Sequence, residues 1–377
     1  MSVNTGNLAL LKIKFITFSP DAPASKAYRD ALMLSGDFIV STDNDYKDAD
    51  YAFFMTYAAD LEELKKVKEL YPNLKTAILD PRGEETIPYI KYCDFLIVDS
   101  IEMSDYFSKF SIPIFLYYEY PLFNAVTKKH EDKDTIIIGY HGNKVHLTAM
   151  FPKITSALKV LAQEKNIEFW AVYNIEMLGH WNIGVPDGLK VRHIQWHSNV
   201  YTEELLDIDI GIVPSTMPIK KAMKVSRFFL DSSEDYVIKF KMPSNPGRLA
   251  VFAKLGIPVV ADFLPSHFQF IEEGRSGLLA DSTGAWYQAL KKLVESADLR
   301  NKLSNNMSVT FSEILDFQQQ NIRLFNWLVE FLNHETVEST RVIIEGKDLK
   351  FIDRLKYNNA HIYDSCFKMY RKIKGII

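Results

Sequence analysis

The sequence predicts an α/β protein of two successive halves, each a parallel sheet covered by helices. Three observations carry this. Short apolar runs alternate with helical segments, and they do so twice over. The chain has 377 residues, more than one ordinary core accommodates. Between the two patterns lies a charged stretch without apolar side chains, Thr127 to Asp134 (TKKHEDKD).

In the first half, Leu10 to Phe18 reads as a strand and Ala24 to Leu34 as a helix. Phe38 to Ser41 and Tyr51 to Met55 read as strands. Leu61, Leu64 and Val67 recur at helical spacing, with Lys68 at the edge of that face. Thr76 to Leu79, Phe95 to Val98 and Ile114 to Tyr117 complete the strands, the first two ending at Asp80 and Asp99. The pattern restarts with a strand at Thr135 to Gly139 and a helix at Phe151 to Glu164. Strands follow at Ile167 to Val172, Lys190 to Ile194, Ile208 to Val213 and Ile257 to Ala261. Helices are expected at Thr202 to Leu206, Pro246 to Leu255 and Trp286 to Ala297, and a mostly helical tail from Asn301.

Composition excludes several classes. Apolar residues make up 47% and charged residues 24%, as in soluble globular proteins. The formal net charge of −4 argues against a nucleic-acid partner. Cys93 and Cys366 stand far apart, outside any CxxC pattern, which fits a reducing cytoplasm. Met1 to Ala9 lacks the basic and apolar stretches of a secretory leader. No apolar run reaches the roughly 18 residues of a membrane span. The nine histidines show no metal-ligand spacing, so no metal or other cofactor is expected.

In open parallel sheets, ligands bind beyond the carboxyl ends of the strands. Four such places carry candidate chemistry. Lys241-Met242-Pro243-Ser244-Asn245-Pro246-Gly247-Arg248 starts a helix. Asn245 suits the cap and Pro246 the first position, Gly247 leaves room, and Lys241 and Arg248 add charge at a helix N-terminus. A diphosphate fits there. Gly139 to Lys144 (GYHGNK) offers Gly142 for close approach and Lys144 for a phosphate, without P-loop spacing. Gln195 to Asn199 (QWHSN), with His197 and Ser198, offers polar groups to a flat base. Ser19 to Arg29 offers Ser25, Tyr28 and Arg29 to an acceptor or a phosphate. Each also reads as an ordinary turn or helix start. Asp207-Ile208-Asp209 looks like a metal-binding DxD, but it precedes its apolar strand instead of following one and reads as a turn.

From Ile208 onward the chain resembles the GT-B glycosyltransferases, in particular the retaining group of surface-polysaccharide (capsule and lipopolysaccharide) synthesis. The matching residues are Asp209 to Ser215 (DIGIVPS), Gly256 to Val260 (GIPVV) and Ile271 to Leu279 (IEEGRSGLL), with the helix Trp286 to Leu293 in register. Gly139 to Leu147 resembles the opening loop of that group's donor domain. The resemblance covers Thr135 to Leu303, and in the first half rests on Ser25, Tyr28, Arg29 and Asp80.

The resemblance implies two Rossmann-like domains facing across a cleft. Residues 1–130 would bind acceptor and 134–330 the nucleotide-sugar donor. Residues 331–377 would form a helical tail, with Phe351 to Ile373 crossing back to the first domain. It implies sugar transfer from a nucleoside diphosphate to a carbohydrate or lipid-linked acceptor without a metal, in the cytoplasm or at the inner membrane face. Asp21, Asp80, Glu119 and His141 are the acid/base candidates. The chain departs from the group where two glutamates are usual: Pro243 and Val251 stand there. That departure supports one alternative, a non-catalytic scaffold subunit; a sugar-nucleotide epimerase, which needs a hydrolytic acid/base set, is the other.

Overall fold

The computed structural model describes residues 10–56, 61–81, 84–198, 200–215 and 245–333. Two sheets of six parallel strands organise them. The first is built from β1 (Leu11–Ile16), β2 (Phe38–Ser41), β3 (Tyr51–Met55), β4 (Lys75–Leu79), β5 (Phe95–Val98) and β6 (Ile114–Leu116). Its order is β2-β1-β3-β4-β5-β6. The second is built from β7 (Ile136–His141), β8 (Ile167–Tyr173), β9 (Lys190–Gln195), β10 (Ile210–Val213), β11 (Val259–Ala261) and β12 (Leu278–Leu279). Its order, β12-β11-β10-β7-β8-β9, reverses direction between β7 and β10. That reversal opens a crevice at the carboxyl ends of those two strands.

The central strands β3, β5 and β10 are continuous apolar runs because both faces of the sheet are covered there, whereas β1 carries Lys12 and Lys14 and the edge strand β9 carries Lys190 and Arg192. Every residue of β3, β5 and β10 is buried. Two apolar clusters flank each sheet. The helix Leu61–Leu70 buries Leu61, Leu64 and Val67, and Lys68 turns to the Asp94 carboxylate at 2.7 Å. The helix Gly247–Lys254 lies on the second sheet and ends at Gly256, whose φ of +64° is a left-handed stop. A side chain there would also meet the Lys128 backbone N at 2.9 Å.

The chain returns to the first sheet earlier than the resemblance implies. The helix Ala297–Leu315 packs Met307, Phe311 and Leu315 with the second half. The helix Phe317–Asn333 instead packs Leu324, Phe325 and Leu328 on the first sheet. Trp327 meets Phe95 and Phe115 at 5.0 and 5.4 Å. The Asn321 amide donates to Ala31 O at 2.8 Å and accepts from the Tyr117 hydroxyl at 2.7 Å. The crossing is therefore at Asp316, within the residues assigned to the donor half. No Gly or Pro marks it in sequence, so the two helices read as one. Phe351 to Ile373 lie outside the described residues.

The charged stretch Thr127 to Asp134 has neither helix nor strand, and it is held to the second half. Lys128 Nζ donates to the carbonyls of Leu206 and Ile208. The His130 backbone exchanges two hydrogen bonds with the Asn301 side chain, each 2.8 Å. Lys133 pairs with the buried Asp209 carboxylate at 2.7 Å, whose other oxygen accepts from Ile137 N. Asp209 thus serves the turn into β10.

Candidate functional site

At the crevice between β7 and β10 sits Arg248, in the first turn of the helix Gly247–Lys254 and only 9% exposed. Its guanidinium donates to Pro214 O at 2.8 Å and to Ser215 Oγ at 2.7 Å, both just beyond β10. It also donates to His146 Nδ1 at 3.3 Å. A guanidinium only donates, so this His146 nitrogen is the lone-pair side of a neutral ring. All three acceptors are uncharged. Burial lowers the Arg248 pKa from its ordinary value, and Asp262 beyond β11 pulls it back up. Asp262 in turn accepts from Ser215 N at 2.5 Å. A buried cation bonded to neutral partners is an arrangement that receives an anion.

The loop after β7 lies against the same group. Gly142 has a φ of +124°, and a side chain there would meet the Arg248 Cδ at 3.2 Å. Asn143 caps the short helix Lys144–Leu147 by accepting from Val145 N at 3.0 Å. Lys144 Nζ donates to Leu178 O, tying this loop to the one after β8. His141 is buried with its ring on Phe252, 4.8 Å between centroids. Its Nε2–H donates to Arg248 O at 3.3 Å, and burial pushes its pKa down to about 3. At neutral pH it is a neutral donor that steadies the helix start, a poor general acid or base.

The helix N-terminus next to Arg248 already meets carboxylates of the first half. Asn245 Oδ1 accepts from Gly247 N at 3.2 Å, so it caps from two residues ahead. Its Nδ2 donates to Asp99 at 3.0 Å and to Glu119 at 2.9 Å. A side chain at Gly247 would lie 3.4 Å from Glu119 Oε2. The helix start expected to face a diphosphate thus has the Glu119 carboxylate beside it, held through Asn245. Lys241 and Ser244 lie outside the described residues. A second contact of this kind joins the Glu102 carboxylate to Ser266 N at 3.0 Å.

The other sequence candidates are dispersed. His197 and Ser198 are exposed beyond β9, with Trp196 packed against Tyr201 at 5.7 Å. Asp21 is exposed in the loop after β1. Asp80 is fully buried at the end of β4, with a φ of +53°. Ser25 and Tyr28, proposed to meet an acceptor, are 0% and 1% exposed. Ser25 Oγ lies 3.2 Å from Thr17 Oγ1, and the Tyr28 ring packs on Tyr117 at 5.9 Å. These two side chains belong to the core under β1, because the helix Pro23–Met33 presents Ser25, Tyr28 and Leu32 on one buried face. Arg29 is turned to Asp30 at 2.7 Å and to Pro20 O at 3.0 Å. Ser215, Asp262, Asp99 and His146 are not among the site candidates that the sequence offers. Asp262 and Asp99 directly follow β11 and β5, and Ser215 lies two residues beyond β10, which is the signal that marks them.

Among the described residues no three His, Cys, Asp or Glu side chains gather as a metal site. No described helix is long and apolar enough to cross a membrane.

No protein-family model matches the chain, and no curated protein sequence matches it. Solved structures do. HepE from Anabaena, in complex with UDP-glucose, is similar with a TM-score of 0.54 at 12% identity, over 86% of this chain and 99% of that one. A glycosyltransferase from Rickettsia africae is similar at 0.55 and 10% identity, over 86% and 100%. Sucrose-phosphate synthase from Thermosynechococcus elongatus is similar at 0.55 and 12% identity, over 86% and 99%. The chain has the GT-B glycosyltransferase fold.

Proposed function

We propose that the protein is a glycosyltransferase that moves a sugar from a nucleoside-diphosphate sugar to a carbohydrate or lipid-linked acceptor. The observation that carries this reading is Arg248, a buried guanidinium with uncharged partners at the point where the second sheet reverses direction. In a doubly wound sheet that point is the ligand crevice. The diphosphate would lie against Arg248, Ser215 and the Gly142 backbone, and positive charge there would stabilise it as a leaving group. The fold neighbours lend support: HepE is solved with UDP and with UDP-glucose. The base would rest near His197 and Ser198, beyond β9. Transfer is proposed to retain configuration and to need no metal, within the cytoplasm and in the service of cell-surface polysaccharide synthesis. The first domain would comprise residues 1–130 together with the returning helix, and the donor domain would begin near residue 134.

One observation favours a second reading, a binding subunit without turnover. Val251, where the similar group carries its second glutamate, is 6% exposed and packed in the apolar core. In the group that the chain resembles this glutamate binds the nucleotide ribose, and a valine side chain has no hydrogen bond to offer there. Calorimetric titration with a nucleotide panel, followed by a donor-hydrolysis assay with and without EDTA, decides. Nucleotide binding with EDTA-insensitive turnover supports the transferase. Binding without turnover supports the subunit, and no binding of any nucleoside diphosphate rejects both.

A further inference from the structure

The helix Gly247–Lys254 has Arg248 in its first turn and Lys254 as its last residue. Eight residues make a rod of about 12 Å, short and stiff enough to move as one piece. The far end of this rod meets both passages of the chain between the halves. On the passage after β6, Lys254 Nζ donates to Pro121 O at 2.8 Å. The same ammonium lies over the rings of Tyr120 and Phe123, at 4.5 and 4.7 Å. The Lys254 carbonyl accepts from Val126 N at 2.7 Å. On the returning passage, Asp316 attracts the ammonium, and the Phe317 ring packs on Tyr120 at 6.2 Å. Lys254 therefore holds the first crossing directly and reaches the second through Tyr120, whose ring lies under its ammonium and against Phe317.

We propose that Lys254 is the positioning residue that sets the angle between the two halves and couples it to occupancy of the Arg248 end of its helix. The coupling part rests on the nucleotide-binding reading above; the angle-setting part does not. Attraction of the ammonium to two ring faces and to Asp316 holds the crossings together. Displacing the helix at its first turn carries Lys254, and with it Pro121 and Val126. Burial pushes the Lys254 pKa down to about 8 against the pull of Asp316. Asp316 and Tyr120 are the charged and titratable groups facing it among the described residues, and burial raises Tyr120. Loss of the proton removes the ring and carboxylate attractions and leaves a neutral amine.

The test uses spin labels at Glu69 and Lys159, exposed on helices of the two halves, in a Cys366→Ser background. Pulsed distance measurements compare the parent, Lys254→Gln and Lys254→Arg at pH 7 and pH 9.5, with and without UDP. The parent is expected to give one narrow distribution at pH 7 that broadens at pH 9.5. Lys254→Gln should be broad at both, and Lys254→Arg narrow at both. UDP should shift the parent distribution and bind Lys254→Gln within about threefold without shifting it. Superimposable parent and Lys254→Gln distributions overturn the proposal. If Lys254→Gln does not fold, the parent and Lys254→Arg still decide it through pH. Failure of the parent to bind UDP or any other nucleoside diphosphate by calorimetry rejects the nucleotide site, while the ligand-free arms continue to judge Lys254.

Discussion

The amide of Asn245 donates to the carboxylate of Glu119 at 2.9 Å, and this joins the two halves of the molecule at the edge of the crevice between β7 and β10. The second amide hydrogen goes to Asp99 at 3.0 Å, and the amide oxygen accepts from Gly247 N. Every hydrogen-bonding position of the amide nitrogen is used. Asn245 therefore acts as a clasp between β5, the segment after β6 and a helix start.

Asn245→Asp should loosen this clasp more than Asn245→Ala. The aspartate would set a third carboxylate against Asp99 and Glu119, whereas alanine only removes a donor. Loss of hydrogen bonds to charged groups costs roughly 1.5–3 kcal/mol each in other proteins. The expected result is a lower urea midpoint for both variants, with Asp the lower. Equal midpoints for Asp and Ala would argue that the carboxylates are not held as described.

Arg248→Met should weaken nucleoside-diphosphate binding by about ten- to a hundredfold, from about 1.5–3 kcal/mol for a charge-assisted hydrogen bond. Arg248→Lys keeps the charge but loses the fork that reaches Pro214 O and Ser215 Oγ together. It should fall between parent and Met. Calorimetric titration with UDP measures both, and far-ultraviolet dichroism checks the fold. Parent-like affinity in Arg248→Met would remove the site from this crevice.

The charged stretch between the sheets should resist trypsin. The flanks of Lys128 and Lys129 are pinned by Leu206 O, Ile208 O and the Asn301 side chain. Asp209→Asn removes the partner of Lys133 and should expose these sites. A mass-resolved digestion time course should show slow cutting after Lys128 in the parent and faster cutting in the variant. Equal rates would mean that the stretch is not docked in solution.

Strand and helix positions were largely legible because a parallel sheet covered on both faces demands unbroken apolar runs. Phe38 to Ser41, Tyr51 to Met55 and Phe95 to Val98 are read from sequence with the bounds that the structure shows. The stop at Gly256 was legible for a local reason, the left-handed backbone after a helix. The crossing at Asp316 was not, since nothing local marks it and only long-range packing of Trp327 and Leu328 decides it. The site was legible in part. Arg248 follows from its place at a helix start, but the clasp of Asn245 on Glu119 joins residues 126 positions apart. No spacing along the chain encodes such a contact. Ser25 and Tyr28 were attractive for following β1, yet their helix turns them inward.

Three buried histidines should make the protein acid-sensitive. His267 Nδ1–H donates to Asp262 O at 2.8 Å, His141 Nε2–H to Arg248 O, and His130 Nε2–H to Gly256 O at 2.8 Å. Each ring spends its one proton on a carbonyl. A second proton would sit in the interior near a cation: Arg248 for His141 and His267, Lys128 and Arg300 for His130. Burial, the largest cause, pushes the pKa to about 3 for His141 and His267 and about 4 for His130. The unfolded chain takes up these protons near the ordinary value of 6.5, well before the folded one does. Stability is therefore whole above that value and falls as pH drops from it toward 4. Each histidine adds up to about 1.4 kcal/mol per pH unit to that slope. His130→Gln keeps a donor for Gly256 O and removes the titration. Urea midpoints at pH 7.5, 6.5, 5.5 and 4.5 should fall less steeply for this variant than for the parent. Parallel curves across that range would show that His130 is not the neutral, buried group its hydrogen bonds imply.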